Sequence, residues 1–199
     1  MNVNELVEKY RKGERDFSNI KLPNADLSGL DLRRMIFISA DLSNCNFSNS
    51  DLTNSDFSGA ILDRVNFAGA ILRNTNFSGA HMTNADIRNV QIDNTNFARA
   101  NLMFAHLCGN DLVKADLNNA ELDWSCLVGS AMTQEQIATV PKQAMIATIT
   151  RQDQMPMQSG YSLALGESNS TYKIRTTEDV IGANYKFQIV ESKGRKNYC

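Results

Sequence analysis

His81 and His106, the four cysteines and the paired aspartates Asp31 and Asp51 are the side chains of this 199-residue chain best suited to metal or nucleophile chemistry. The histidines lie 25 residues apart, far from the spacing of ligands that share one element. Cys45, Cys108, Cys126 and Cys199 show no paired C-x-x-C spacing. Their scatter fits a reducing cytosol better than a disulfide framework. There is no G-x-S-x-G, phosphate-loop, H-E-x-x-H or dinucleotide fingerprint. Asn46-Phe47-Ser48 and Asn76-Phe77-Ser78 match the glycosylation sequon, although both place a phenylalanine in the middle. The reading is a chain with no catalytic residue, metal site or cofactor site.

What positions these residues is a repeat. From Phe17 to Met132 a large apolar residue falls at every fifth position without a break, giving 24 pentapeptides. The residue two before each centre is mostly small (Ala40, Cys45, Ser50, Ala60, Ala80), and the one before it is often Asp or Asn (Asp26, Asn46, Asp56, Asn66). Two after it stands Asn or Gly (Asn44, Asn54, Gly59, Gly69). On an α-helix each repeat would advance about 140°, spreading the centres over every face. On a straight strand an odd period sends successive centres to opposite sides. The chain must therefore turn once per repeat, and Asn and Gly supply the turn.

The phenylalanines set the number of sides. In steps of twenty the first column reads Phe17, Phe37, Phe57, Phe77, Phe97, Leu117, and the second starts at Leu22. The third reads Leu27, Phe47, Phe67, Ile87, Leu107, Leu127, and the fourth starts at Leu32. All seven phenylalanine centres fall in the first and third columns, which face each other across a four-sided coil. The fold class is all-β: a right-handed quadrilateral β-helix of about six coils, roughly 29 Å tall at the spacing of paired strands.

Such a stack needs its ends closed. Residues 1–14 are assigned to an N-terminal helical cap, with Asn4 placed to start the helix and Gly13 to end it. Residues 15–132 form the solenoid. Residues 133–141 form a short C-terminal capping helix, with Thr133-Gln134-Glu135-Gln136 in capping-box form. Residues 142–199 lose the repeat and read as a β-rich or partly disordered extension, with strands at Met145 to Thr150, Tyr161 to Leu165, Thr171 to Thr176 and Tyr185 to Glu191. The charged N-terminus has no apolar core of a signal peptide, and no run approaches the roughly 20 apolar residues of a membrane helix. The expected location is cytoplasmic.

The pattern Ala-(Asp/Asn)-Leu-x-x, seen in Ala25-Asp26-Leu27-Ser28-Gly29 and Ala115-Asp116-Leu117-Asn118-Asn119, resembles the pentapeptide-repeat family over about residues 15–132. Gly13-Glu14-Arg15-Asp16-Phe17 after a short helix resembles cyanobacterial members. The resemblance implies protein interaction: DNA mimicry toward type II topoisomerases in one branch, control of cell differentiation in a cyanobacterial branch. It brings no catalytic motif.

On this frame the chemistry-bearing residues separate. His81 and His106 point outward from different sides. Cys45 falls inward as core, whereas Cys108 and Cys126 point outward. Asp31 and Asp51 stack one coil apart, with Arg33 near enough to relieve their repulsion. Asn110 takes an inward place where Ala or Ser is usual and is expected to bond a turn. Ile36, Ile38, Ile61 and Ile71 point outward. Residues 13–132 hold 14 acids and nine bases. A duplex of similar length carries roughly 17 phosphate charges, so a DNA mimic is disfavoured. Direct nucleic-acid binding is disfavoured by the net charge of −2. Phe104 and Trp124 stand twenty apart at a turn position, with Met103 and Val128 nearby. Clustered outward aromatics mark contact, either with the chain's own tail or with a partner. The expected role is a non-enzymatic scaffold for a protein partner or a second copy of this chain, with Phe104, Trp124, Met103 and Val128 as the partner-binding candidates.

Overall fold

The structure is a computed structural model that describes residues 1–141 in full and, beyond them, the backbone of four strands at 146–151, 164–166, 173–175 and 185–190. The repeat makes parallel bridges at a constant step of twenty, such as Asp16 to Ile36, Ile36 to Asp56, Asp56 to Asn76 and Asn76 to Asn96. Bridges recur at every fifth residue along the chain, so each twenty-residue coil has four paired faces. The fold is a β-helix solenoid made of very short parallel rungs. On each face the centre's amide donates to the coil above (Phe37 to the Asp56 carbonyl, 2.7 Å) and the preceding amide donates to the coil below (Asp56 to the Met35 carbonyl, 2.8 Å).

Local chemistry explains the repeat letters. In every turn of the solenoid except that of Lys114 the residue two after the centre has positive φ, for example Asn44 at 57° and Asn54 at 62°. Asn reaches this left-handed region at low cost. The residue three after the centre closes the turn, as the Ala40 amide does on the Phe37 carbonyl at 3.0 Å. The Asp or Asn before each centre accepts from the amide one beyond it: Ser48 to Asn46 at 3.1 Å, Ala68 to Asn66 at 2.9 Å. That amide points outward, away from the neighbouring coils, and the side chain supplies its missing partner.

The core is a pair of ring ladders. Phe37, Phe57, Phe77 and Phe97 stack with centroids 5.1, 5.1 and 5.3 Å apart, and Phe47 stacks on Phe67 at 5.3 Å. The ladders meet edge to face, Phe47 on Phe57 at 5.7 Å. Inward hydroxyls are satisfied by carbonyls, Thr75 by Leu52 (2.9 Å) and Thr95 by Leu72 (2.6 Å) of the coil below, and Ser50 by Phe47 (2.7 Å) of its own coil. Cys45 is likewise buried, its Sγ donating to the Leu22 carbonyl at 3.0 Å, and burial pushes its thiol up to about 11.

Helix α1, Val3–Arg11, covers the first coil with the buried Leu6. Its cap is Asn2, not Asn4. Asn2 has Glu5 three residues on, and the two bond each other's backbone at 3.0 Å. Asn4 would meet Val7 there, which cannot return the bond. After strand β1, Ala131–Met132, helix α2, Gln134–Thr139, starts at the expected Thr133–Gln136 capping box. Gln136 Nε2 donates to the carbonyls of Leu112 (2.8 Å) and Ala115 (2.9 Å) on the last coil.

Beyond α2 come β2 (Ile146–Arg151), β3 (Ala164–Gly166), β4 (Lys173–Arg175) and β5 (Tyr185–Val190). β2 pairs parallel with β1 (Ala131 to Ile149) and antiparallel with β5. It therefore extends the fourth face by one rung. β3 and β4 form a separate pair. The expected strand at Tyr161 to Leu165 begins at Ala164 among the described residues, and its earlier part lies outside them.

Candidate interaction site

The corner after the second face is built from Asn24, Asn44, Arg64, Asn84, Phe104 and Trp124, one per coil. Their φ values lie between 57° and 62°. Asn suits this conformation; a large aromatic ring does not. The Phe104 amide donates to the Asp123 carbonyl at 3.1 Å, which places the two aromatic corners on successive coils. Phe104 is 38% exposed; Met103, Trp124 and Val128 are half-buried. Among the described residues ring-to-ring contacts join core phenylalanines, and none joins Phe104 to Trp124. Met103 thus adjoins the Phe104–Trp124 corner on the second face, while Val128 lies across the third face, next to the following corner at Gly129.

The third face beside this corner holds a feature that the sequence reading missed. Cys108 and Cys126 form a disulfide across adjacent coils, with Cα atoms 5.7 Å apart. Cys126 bridges to His106, and Cys108 lies two residues beyond His106 on the same outward side. The pair is diagonal, a step of eighteen rather than twenty. Both positions flank a centre on the third face, and that was the available signal. The expectation of unpaired outward thiols is corrected on this point. Cys126 is also buried.

The other chemistry-bearing residues remain apart. His81 is exposed on the second face; His106 is half-buried on the third. Arg33 sits between the two stacked aspartates, Nη2 at 2.6 Å from Asp31 and Nε at 3.7 Å from Asp51. The hydrogen bond from Arg33 holds the Asp31 carboxyl down to about 2 against a smaller opposing effect of burial. Arg88 does the same for Asp86 on the third face, lowering its pKa. Asn110 is buried and bonds turn backbone, as its inward place implied. Ile38 and Ile61 are exposed, Ile36 and Ile71 half-buried. Among the described residues no group of three or more His, Cys, Asp or Glu is arranged to hold a metal ion, and no helix is long and apolar enough to cross a membrane.

Comparison with known proteins agrees with the geometry. A model described as "Pentapeptide repeat region" matches residues 15–97, and one described as "Pentapeptide repeats (8 copies)" matches residues 95–134. No curated relative matches the chain. Among solved structures it is similar to the pentapeptide repeat protein Rfr23 from the cyanobacterium Cyanothece 51142, at 21% identity over 66% of this chain and 95% of that one, TM-score 0.43. It is similar to full-length QnrB1, a plasmid-mediated fluoroquinolone resistance protein, at 22% identity over 65% and 71%, TM-score 0.38. HetL, involved in heterocyst differentiation regulation in Nostoc sp. strain PCC 7120, shares 23% identity over 76% and 81%, TM-score 0.31. With its unbroken five-residue register and four bridged faces, matched by family models from residue 15 to residue 134, the chain belongs to the pentapeptide-repeat family.

Proposed function

We propose that the chain is a non-enzymatic, regulatory scaffold that holds a protein partner on a preformed edge of its solenoid. The carrying observation is that Phe104 and Trp124 occupy successive left-handed corners at φ 60° and 62°. A bulky ring there costs conformational energy that the Asn of lower coils avoids, and such costs concentrate at functional positions. The partner-binding residues in this reading are Phe104, Trp124, Met103 and Val128. The solenoid is read as right-handed, with about six coils closed by α1 and α2, and residues 142–199 as an extension that adds specificity. The proposed setting is the cytoplasm, where the Cys108–Cys126 bond would meet a reducing thiol pool, and the partner a different protein, with a second copy of this chain as the alternative occupant. A rigid surface loses little entropy on binding.

The topoisomerase-directed reading draws less support. Arg33, Arg73 and Arg88 sit within 4 Å of Asp31, Asp51, Asp93 and Asp86, so the acidic surface is interrupted by paired cations.

The test is affinity capture from native-host lysate with the full chain and with its Phe104→Ala/Trp124→Ala variant. A captured protein that the double variant loses supports the corner. Equal capture by both would move the site elsewhere on the solenoid.

A further inference from the structure

We infer that the segment seated on the Phe104–Trp124 edge is cationic and presents an arginine to it. This rests on that edge being the docking site and adds the chemistry of its occupant. Charge along the solenoid is uneven. Residues 100–141 hold five acids (Asp111, Asp116, Glu121, Asp123, Glu135) against the single base Lys114. Residues 1–34 hold six acids against seven bases.

Engagement of the carboxylates is also uneven. The repeat's other aspartates all accept a hydrogen bond: Asp16 from Ser18, Asp26 from Ser28, Asp41 from Ser43, Asp51 from Thr53, Asp56 from Ser58 and Asp63 from Thr83. Asp31 and Asp86 bind arginines, Asp93 binds Lys114, and Asp111 and Asp116 accept from Val113 and Asn118. Among the described residues the carboxylates of Glu121 and Asp123 have neither a hydrogen bond nor an ion pair. These two stand on the second face immediately before Trp124, one coil above Asn101 and Met103. No Lys or Arg occurs in residues 100–108 or 120–128, the stretches that form both sides of the corner.

Two unengaged carboxylates beside exposed aromatic surface form a receptor for a guanidinium. The planar cation stacks on a ring face while its N–H fork bonds carboxylate oxygens, a geometry lysine does not reproduce. The stacking half of this arrangement occurs at the other end of the chain, where Arg15 Nη1 donates to the backbone carbonyls of Tyr10 (2.7 Å) and Glu14 (2.9 Å) rather than to a carboxylate. The Arg15 guanidinium lies 3.9 Å over the Tyr10 ring, whose hydroxyl donates to Asp31 at 3.3 Å.

Trp124 is the only tryptophan, so its emission reports on this edge alone. The full chain is titrated with a short arginine-rich peptide in a glycine–serine background. The controls are a peptide of the same length with citrulline in place of arginine, which keeps the shape and removes the charge, and one with glutamate. The arginine peptide should change Trp124 emission saturably and bind roughly five- to tenfold tighter than the citrulline peptide. Glu121→Lys/Asp123→Lys should weaken it by about tenfold, and added salt should weaken it further. Equal titration by arginine and citrulline peptides, or no loss on charge reversal, overturns the cationic assignment and leaves the docking edge standing. No emission change with any peptide, while Phe104→Ala/Trp124→Ala still loses a captured protein, has the same meaning. Capture that survives the double variant removes the docking edge itself.

Discussion

The Asn110 side chain of one coil completes the turn at Val90 in the coil below. Its Oδ1 accepts from the Val90 amide at 3.1 Å, and its Nδ2 donates to the carbonyls of Ile87 (2.6 Å) and Leu107 (2.8 Å). In most other turns the equivalent amide bonds the centre of its own repeat, as Ala70 bonds Phe67 at 2.9 Å. The ladder changes at the same place. Ile71 bridges Gln91 and Asp111 bridges Ala131, but among the described residues no bridge joins Gln91 to Asp111. The carboxamide occupies the seam and supplies bonds that backbone supplies elsewhere.

Asn110→Ala should therefore cost about 2 kcal/mol or more, since it strands a buried amide and a buried carbonyl. Asn110→Ser should recover much of this. Ser55, at a different corner nearly three coils lower, performs the same two tasks, accepting from the Met35 amide at 3.1 Å and donating to the Leu32 carbonyl at 3.0 Å. Urea unfolding of the three proteins decides it: an alanine variant as stable as the parent would mean the carboxamide is dispensable.

Phe104→Asn should raise stability while weakening partner capture. Asn fits φ 60° with less strain, a gain on the order of 1 kcal/mol, and Asn84 already holds that corner one coil lower at φ 59°. The thermal midpoint of the full chain is the measurement. A fall in the midpoint would show that the ring is structural packing rather than a docking surface.

Reduction of Cys108–Cys126 should lower stability without dissolving the coil. The bond closes an eighteen-residue separation, worth about 3 kcal/mol by loop entropy. The same strands are held by Leu107 to Cys126 (2.8 Å) and Cys126 to Ala105 (2.9 Å) backbone bonds. Circular dichroism of Cys108→Ser/Cys126→Ser should keep the parent's β signal, with an earlier unfolding transition. Loss of that signal at room temperature would make the cross-link essential to the fold.

Acid should act on the aspartates paired to arginine. Asp31 titrates near 2 when folded, below the roughly 3.9 of an unfolded aspartate, so its contribution is present above about pH 4 and is lost as pH falls toward 2. The carboxylate is half-exposed, so solvent screens the pair and the effect is small. Carboxyl-carbon NMR should place the Asp31 midpoint well below that of an ordinary aspartate, and Arg33→Ala should raise it. An unchanged midpoint in that variant would remove Arg33 as the cause.

The ring ladder should be least tolerant at its middle. Phe57 contacts Phe37, Phe47, Phe67 and Phe77, whereas Phe17 contacts Phe37 at 6.0 Å. Phe57→Ala should cost about 4 kcal/mol and Phe17→Leu about 1 kcal/mol, read from denaturant midpoints. Similar losses at both positions would contradict a ladder whose strength comes from stacked neighbours.

What the sequence determined by itself was the periodic part. In a solenoid each residue meets its counterpart one coil away, so the columns Phe17–Phe37–Phe57 and Leu27–Phe47–Phe67 could be read directly as the stacks they form, and the outward places of Phe104 and Trp124 followed from the same count. The tertiary structure decided every contact that departs from the step of twenty. Cys108 and Cys126 meet on a diagonal, Asn110 reaches the Ile87 carbonyl twenty-three residues back, and Asn2 rather than Asn4 starts α1 because of what Glu5 can return. The compensation of the Asp31 and Asp51 charges by Arg33, and the lack of any such partner at Glu121 and Asp123 among the described residues, likewise depend on where individual side chains reach. A repeat fixes backbone register by near-identical neighbours, whereas side chains of unlike length and charge find partners across that register, and only three-dimensional placement selects among them.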